Sequence, residues 1–269
     1  MAGNVGIASR RFQTFCDPVK LPLIQTGMAM LLLAVISCEA QITEWPETVK
    51  PGRFLVKMDA LSLTLDKQPG YKYTAFGAAK TFLSTGLADN WDIQVGAELF
   101  FTQKIEISGF TARNSGIGDV YVRTKWRFYD EGGSAVAIMP FVKLPTNSGG
   151  VGNHSMEGGV ILPWATVLPG AFNVRAMAEL DFKRNDADNG YDTFWYGSMA
   201  ITRPLTKALG LYSEATLGKS SGGAPAKGLL GVGVTLHVSE STWWDYAMYK
   251  GISKGAADWT HVLRLNWWF

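Results

Sequence analysis

The chain has 269 residues, a formal net charge of +2, 47% hydrophobic and 18% charged residues. This near-neutral balance argues against a dedicated nucleic-acid binder. Both cysteines, Cys16 and Cys38, fall within the first forty residues, so the rest of the chain can be neither a disulfide scaffold nor a thiolate metal site.

The first forty residues read as an export signal. Arg10, Arg11 and Lys20 precede an uncharged run from Leu21 to Cys38, densest over Met28–Ile36. Cys38-Glu39-Ala40 then places small residues at the two positions a signal peptidase inspects. A basic n-region, a short apolar h-region and a cleavage site make 1–40 a cleaved signal peptide. An anchoring transmembrane helix needs about 20 apolar residues, more than the dense run supplies. Val35-Ile36-Ser37-Cys38 also resembles a lipoprotein cleavage box, which would leave Cys38 lipidated. The n-region is long, and the sequence does not choose the start Met or the exact cleavage site. Residues 41–52, with Trp45, Pro46 and Pro51, form either a short periplasmic tail or a plug entering a lumen.

From residue 53 the pattern changes to a period of two. The expected strands are 53–65, 71–83, 91–103, 117–129, 134–144, 156–168, 171–183, 192–203, 209–219, 227–238, 243–251 and 258–269. No run of 18 apolar residues follows the signal. A membrane protein without such a run must be a closed barrel, since only helices and barrels satisfy every backbone polar group in lipid. Ten Trp, nine Tyr, fourteen Phe and thirty Gly suit a barrel with aromatic girdles. The fold class is therefore all-β, an up-and-down antiparallel transmembrane barrel of about twelve strands over 53–269. Twelve residues at about 3.3 Å each give roughly 40 Å of strand. A tilt near 40° leaves roughly 30 Å along the membrane normal, enough for an apolar band of about 25 Å.

The connections alternate in length. Turns at 130–133, 169–170 and 239–242 are tight, whereas 105–116, 145–155, 184–191 and 220–226 are long. Outer-membrane barrels have short periplasmic turns and long outer loops. The faces alternate too. Val120, Val122, Thr124, Trp126 and Phe128 oppose Tyr121, Arg123, Lys125, Arg127 and Tyr129. Phe172, Val174, Ala176, Ala178, Leu180 and Phe182 oppose Asn173, Arg175, Met177, Glu179, Asp181 and Lys183. Ile93, Val95, Ala97, Leu99 and Phe101 oppose Gln94 and Glu98. In lipid the charged faces must look inward. In a soluble β-sandwich the same pattern would reverse, and periodicity alone does not separate the two.

The last strand settles the solvent. Trp259, His261, Leu263, Leu265, Trp267 and Phe269 share one face. A closing strand that ends on Phe resembles those of bacterial outer-membrane barrels. That resemblance implies that Leu265, Trp267 and Phe269 form a signal read by the barrel-assembly machinery.

A second resemblance is more specific. Gly116-Ile117-Gly118-Asp119-Val120-Tyr121-Val122-Arg123-Thr124-Lys125-Trp126-Arg127-Phe128 resembles the signature strand of the outer-membrane transporter family linked to meta-pathway phenol degradation. Met139-Pro140-Phe141-Val142-Lys143-Leu144-Pro145-Thr146, with Gly149, Gly150, Gly152, Gly158 and Gly159 after it, is similar to that family's next hairpin and glycine-rich outer loop. The resemblance covers about 116–170. It implies a barrel of about twelve strands in a Gram-negative outer membrane, without naming a solute.

The expected lumen-lining residues are Glu98, Tyr121, Arg123, Lys125, Arg127, Arg175, Glu179, Asp181, Lys183, Glu214, Asp245 and Arg264. They read either as a lattice of salt bridges or as a basic ladder that draws anionic solutes such as aromatic carboxylates. Tyr121, Tyr129, Met139 and Phe141 offer an apolar path. The expected partners are outer-membrane lipid, the assembly machinery and a small-molecule solute; nucleic acid and cofactors are not expected. Two rivals to a passive channel are a surface barrel with a plugged lumen and a lipid hydrolase at the rim using His154 and Ser155. Neighbours on a strand point apart, which weakens the hydrolase. Asp186-Ala187-Asp188-Asn189-Gly190 lacks the later Glu of a calcium loop and reads as a hairpin turn. No His, Asp and Glu cluster has ligand spacing.

Overall fold

A computed structural model describes residues 42–269 except Asp186. The expected signal peptide, with Cys16, Cys38 and the cleavage site at Ala40, lies outside the described residues. The strands are β1 (Phe54–Gln68), β2 (Tyr71–Ala88), β3 (Trp91–Ile107), β4 (Phe110–Gly116), β5 (Val120–Glu131), β6 (Ser134–Leu144), β7 (Glu157–Leu168), β8 (Phe172–Arg184), β9 (Tyr191–Pro204), β10 (Leu209–Ser220), β11 (Lys227–His237), β12 (Thr242–Gly251) and β13 (Trp259–Trp268). Each pairs antiparallel with its neighbour, and β1 pairs with both β2 and β13, so the sheet closes. The first half of β3 pairs with β5 and its second half with β4. β4 and β5 thus act as one interrupted wall strand, and the ring has twelve.

The connection expected at 105–116 is instead a β-hairpin. Ser108 and Gly109 form its two-residue turn, with φ of 46° and 87°, the two positive values a tight hairpin turn demands. Hairpin β1–β2 turns at Pro69 and Gly70. These two hairpins raise one side of the wall: β2 has 18 residues, β12 only 10. One end of the barrel carries Phe54 and Phe269 and is the near end; the opposite end is the far end. Elsewhere the far-end connections, at 145–156, 185–190, 221–226 and 252–258, are longer than those at the near end.

Period two slips at three adjacent points. Ala60 drops out of the pairing in β1, and Ala79 (φ 54°) and Leu99 drop out together in β2 and β3. A bulge consumes one residue and turns the later residues of its strand to the opposite face. Phe101, expected outside, is therefore inside and 5% exposed. Tyr129 is corrected for the same reason. A shift between Arg127 and Tyr129 leaves Phe128 and Tyr129 both exposed at the near end rather than lining the interior.

The outside is what lipid requires. Val95, Leu162, Leu217, Leu230 and Val232 are exposed along the middle of the wall. Phe54, Trp91, Trp126, Phe128, Trp267 and Phe269 are exposed toward the near end, and Phe182, Tyr191, Trp195 and Trp259 toward the far end. Aromatic rings favour the two membrane–water boundaries, because one edge is apolar and the other can meet water.

Candidate functional site

The interior of the barrel holds a piece of its own chain. Pro46 and Pro51 lack the amide hydrogens a ladder needs, and residues 42–50 form no strand. Next to the near end, Pro51 makes a single parallel bridge to Gly86. A Cβ on Gly86 would stand 2.3 Å from the Lys50 carbonyl carbon, so only glycine permits this crossing. Thr48 Oγ1 donates to the Asp89 carbonyl at 2.8 Å, and Val49 N to Asp92 Oδ2 at 3.0 Å. Deeper inside, Lys125 Nζ donates to the Glu47 carbonyl at 3.1 Å. Ile42 N, Thr43 N and Thr43 Oγ1 all donate to the Glu214 carboxylate, and Thr43 Oγ1 also meets Ser198 Oγ at 2.7 Å. Ile42 packs into an inner apolar belt of Met139, Ile161, Met177, Tyr212, Tyr249 and Val262. The segment thus rises from the near end into the barrel.

Glu44 and Trp45 carry its ionic and cation–aromatic contacts. Glu44 Oε2 is 2.9 Å from Lys57 Nζ, and Oε1 is 3.2 Å from Arg123 Nη1. Burial alone would raise the Glu44 pKa. The charges of Lys57, Lys125 and Arg123 outweigh it and hold the carboxyl well below the usual carboxylate range. The Trp45 ring lies 4.4 Å from Lys57 Nζ and 4.9 Å from the Arg175 guanidinium carbon, with Trp243 at 6.3 Å between ring centres. Cations over an indole face are attracted to its quadrupole, more strongly where water is excluded.

Other interior charges are paired in smaller groups. Arg264 Nε donates to Asp59 Oδ1 at 2.7 Å, and Asn266 and Thr235 both donate to Asp245. Lys183 meets Asp181 at 3.0 Å and lies 4.1 Å over the Phe194 ring. Lys143 bridges Asp119 at 3.2 Å and Glu157 at 2.9 Å, and its donation to Asn153 Oδ1 at 2.6 Å ties the 145–156 loop to the wall. Under that loop, Lys80, Glu98, Phe101, Tyr121 and Val151 line a small cavity. Buried charges persist only when paired in this way.

Glycines shape the inner wall. A Cβ on Gly231 would meet the Tyr249 ring at 2.3 Å, one on Gly233 the Tyr212 ring at 2.1 Å, and one on Gly96 the Phe82 ring at 2.3 Å. Each inner ring lies flat over a notch that only glycine leaves. In that position Tyr249 donates its hydroxyl to Glu214.

Of the expected lining residues, Lys125, Asp181, Glu214, Asp245 and Arg264 are buried inside the ring. Glu98 and Tyr121 border the cavity, Arg123 and Arg175 flank the 42–50 segment, and Lys183 pairs with Asp181. Glu179 sits on the inner side of β8 between Met177 and Asp181. Arg127 differs: it lies at the near rim, 3.1 Å from Asp130 and 3.4 Å from the Asp89 carbonyl. Sequence reasoning missed Lys57, Asp59, Lys80, Asp92, Asp119 and Lys143, all buried. Lys57 and Asp59 were visible, since they alternate with Val56 and Met58. Glu44 and Trp45 carried no periodic signal.

Tyr246 OH and His261 Nδ1 lie 2.9 Å apart on the outer face. His154 is exposed on the 145–156 loop, and Asn153 beside it is bonded to Lys143 and Glu157. Asp188 in the 185–190 turn pairs with Arg184. Among the described residues no group of three or more His, Cys, Asp or Glu could hold a metal ion.

A closed ring with an aliphatic middle, aromatic belts at both ends and paired charges inside is an outer-membrane β-barrel. The chain belongs to the family described as "Putative MetA-pathway of phenol degradation", whose match spans residues 40–269. Comparison with curated protein sequences gives no match. Among solved structures, it is similar to the COG4313 outer membrane channel from Pseudomonas putida F1. The TM-score is 0.61 at 10% identity, over 83% of this chain and 98% of that one. It is similar to the transport unit of the autotransporter AIDA-I from Escherichia coli, with TM-score 0.56 at 11% identity over 90% and 97%. It is also similar to the beta domain of the Bordetella autotransporter BrkA, with TM-score 0.55 at 15% identity over 82% and 100%. Identities this low speak for the fold alone.

Proposed function

We propose that this barrel is a passive outer-membrane channel for a small anionic solute, closed at rest by residues 42–50. One observation carries the reading. Lys57, Arg123, Lys125 and Arg175 gather around a segment that is not part of the wall. With that segment withdrawn, the cluster would leave a positive constriction, the usual basis of anion selectivity. The COG4313 neighbour is named a channel, and this agrees with the reading. The near end, with Phe269, faces the periplasm, and the longer connections face outward. Leu265 and Trp267 on the outer face of β13, with Phe269 just after it, serve as the motif met by the assembly machinery.

Planar-bilayer recording tests the proposal. Deleting residues 42–49 should raise the conductance and leave it anion-selective, and Lys125→Glu in that background should move the reversal potential toward cations. A second reading has its own support: Lys125, Met139 and Tyr249 are at most 1% exposed, as a permanently filled structural barrel would have them. A deleted protein that still shifts on boiling in a gel yet passes no current would establish that reading instead.

A further inference from the structure

We infer that the basic cluster is a binding site for an aromatic carboxylate, and that Glu44 and Trp45 occupy it as an internal stand-in. The inference rests on the channel reading and adds the chemistry of the solute. Two consecutive residues supply a carboxylate and, beside it, a flat ring. The carboxylate is shared between two cations, Oε2 with Lys57 at 2.9 Å and Oε1 with Arg123 at 3.2 Å. The ring lies against Lys57, Arg175 and Trp243 at 4.4, 4.9 and 6.3 Å. A small aryl carboxylate carries the same two groups in the same order.

Other solute classes fit less well. A neutral phenol would satisfy the ring site but leave Lys57 without the carboxylate it meets at 2.9 Å, which is costly inside a protein. Acetate would satisfy the cations but leave the faces beside Trp243 and Arg175 without a ring. The occupant is also exchangeable. Residues 42–50 join no strand ladder, and apart from the bridge at Pro51 their hydrogen bonds run mainly to wall side chains such as Glu214, Asp92 and Lys125. A competing carboxylate therefore replaces side-chain contacts and need not open the barrel. Solute binding and withdrawal of the segment become one event.

The test is calorimetric titration of the full-length protein in detergent with benzoate, acetate and phenol. Glu44→Gln combined with Trp45→Ala should bind benzoate at least about tenfold more tightly than the unchanged protein, because the internal competitor no longer lowers the vacant fraction. Acetate and phenol should bind that variant at least about tenfold more weakly than benzoate. Equal benzoate affinity in the two proteins, or acetate or phenol matching benzoate, overturns the inference.

Should the variant not fold, the unchanged protein answers through a protease that cuts after glutamate. Benzoate, and neither acetate nor phenol, should speed cleavage after Glu44 and Glu47, read by intact mass; no acceleration overturns the inference. Conductance separates the two proposals. A variant that binds benzoate but passes no current keeps this site and removes the channel. A variant that passes current with no preference for benzoate removes this site and keeps the channel.

Discussion

Phe54 and Phe269 close the ring on each other. The amide of each donates to the carbonyl of the other, at 2.9 and 3.0 Å, and their rings stack with centres 5.3 Å apart. Deleting Phe269 removes both hydrogen bonds, worth about 0.5–1.5 kcal/mol each, and an aromatic pair worth about 0.5–1.5 kcal/mol. The seam between β1 and β13 should lose about 2–4 kcal/mol. In outer-membrane fractions, the compact band seen without boiling should fall sharply, and Phe269→Tyr should restore it.

The outward face predicts a depth-dependent cost. Val232 lies at the middle of β11, is 57% exposed, and pairs with Ser213 and Met248. Val232→Arg would place a charge in the hydrocarbon middle, at about 2–4 kcal/mol. Urea unfolding from lipid vesicles should show that loss, while Val232→Leu stays near neutral. A silent arginine would mean that this face does not meet lipid.

What the sequence disclosed depended on periodicity. Strands such as β8 and β13 alternate without interruption, so their faces can be read directly. Phe101 and Tyr129 read to the wrong face because a bulge lies before each, and a skipped residue leaves no mark in composition. The β3–β4 hairpin reads as a loop because Thr111, Arg113, Asn114 and Ser115 look like loop residues, yet their backbones pair with Phe101–Ile107. The 42–50 segment is illegible for a different reason. Thr43 meets Glu214, 171 positions away, and no local pattern encodes such a contact.

Lys143 should be indispensable to the far end. It joins Asp119 and Glu157, and all three side chains are at most 10% exposed. Lys143→Met would leave two carboxylates buried without a cation, and breaking such a pair costs about 3–5 kcal/mol. The 145–156 loop forms no strand and is held to this group by Asn147 on Asp119 and Asn153 on Lys143. Limited proteolysis should therefore cut this loop first in the variant, while the barrel still shifts on boiling.

Gly231 should control the Glu214 contact from the far side of a ring. Gly231→Ala puts a methyl 2.3 Å from the Tyr249 ring, and the ring must move off the wall. Its hydroxyl then leaves Glu214, which holds Ile42 and Thr43. Overpacking of this kind costs about 1–3 kcal/mol. Bilayer conductance should rise relative to the unchanged protein, though less than on deleting 42–49. No change in current would show that Tyr249 does not secure the segment.

Acid should release the segment in a defined window. Burial opposes the charged form of Glu44, but Lys57, Lys125 and Arg123 more than compensate, so its docked pKa lies below the ordinary carboxylate value, which is about 4.3 for glutamate. A carboxyl whose pKa is lowered on docking stabilises the docked state fully above its undocked pKa. That contribution is lost as pH falls from there toward the docked value. Conductance of the unchanged protein should then be flat from about pH 8 to about pH 5 and rise below about pH 4. Glu44→Gln removes the ionisation and leaves Lys57 without its carboxylate partner. This variant should conduct more at neutral pH and lose the acid step. A step that persists in Glu44→Gln would place the acid-sensitive group elsewhere in the lumen.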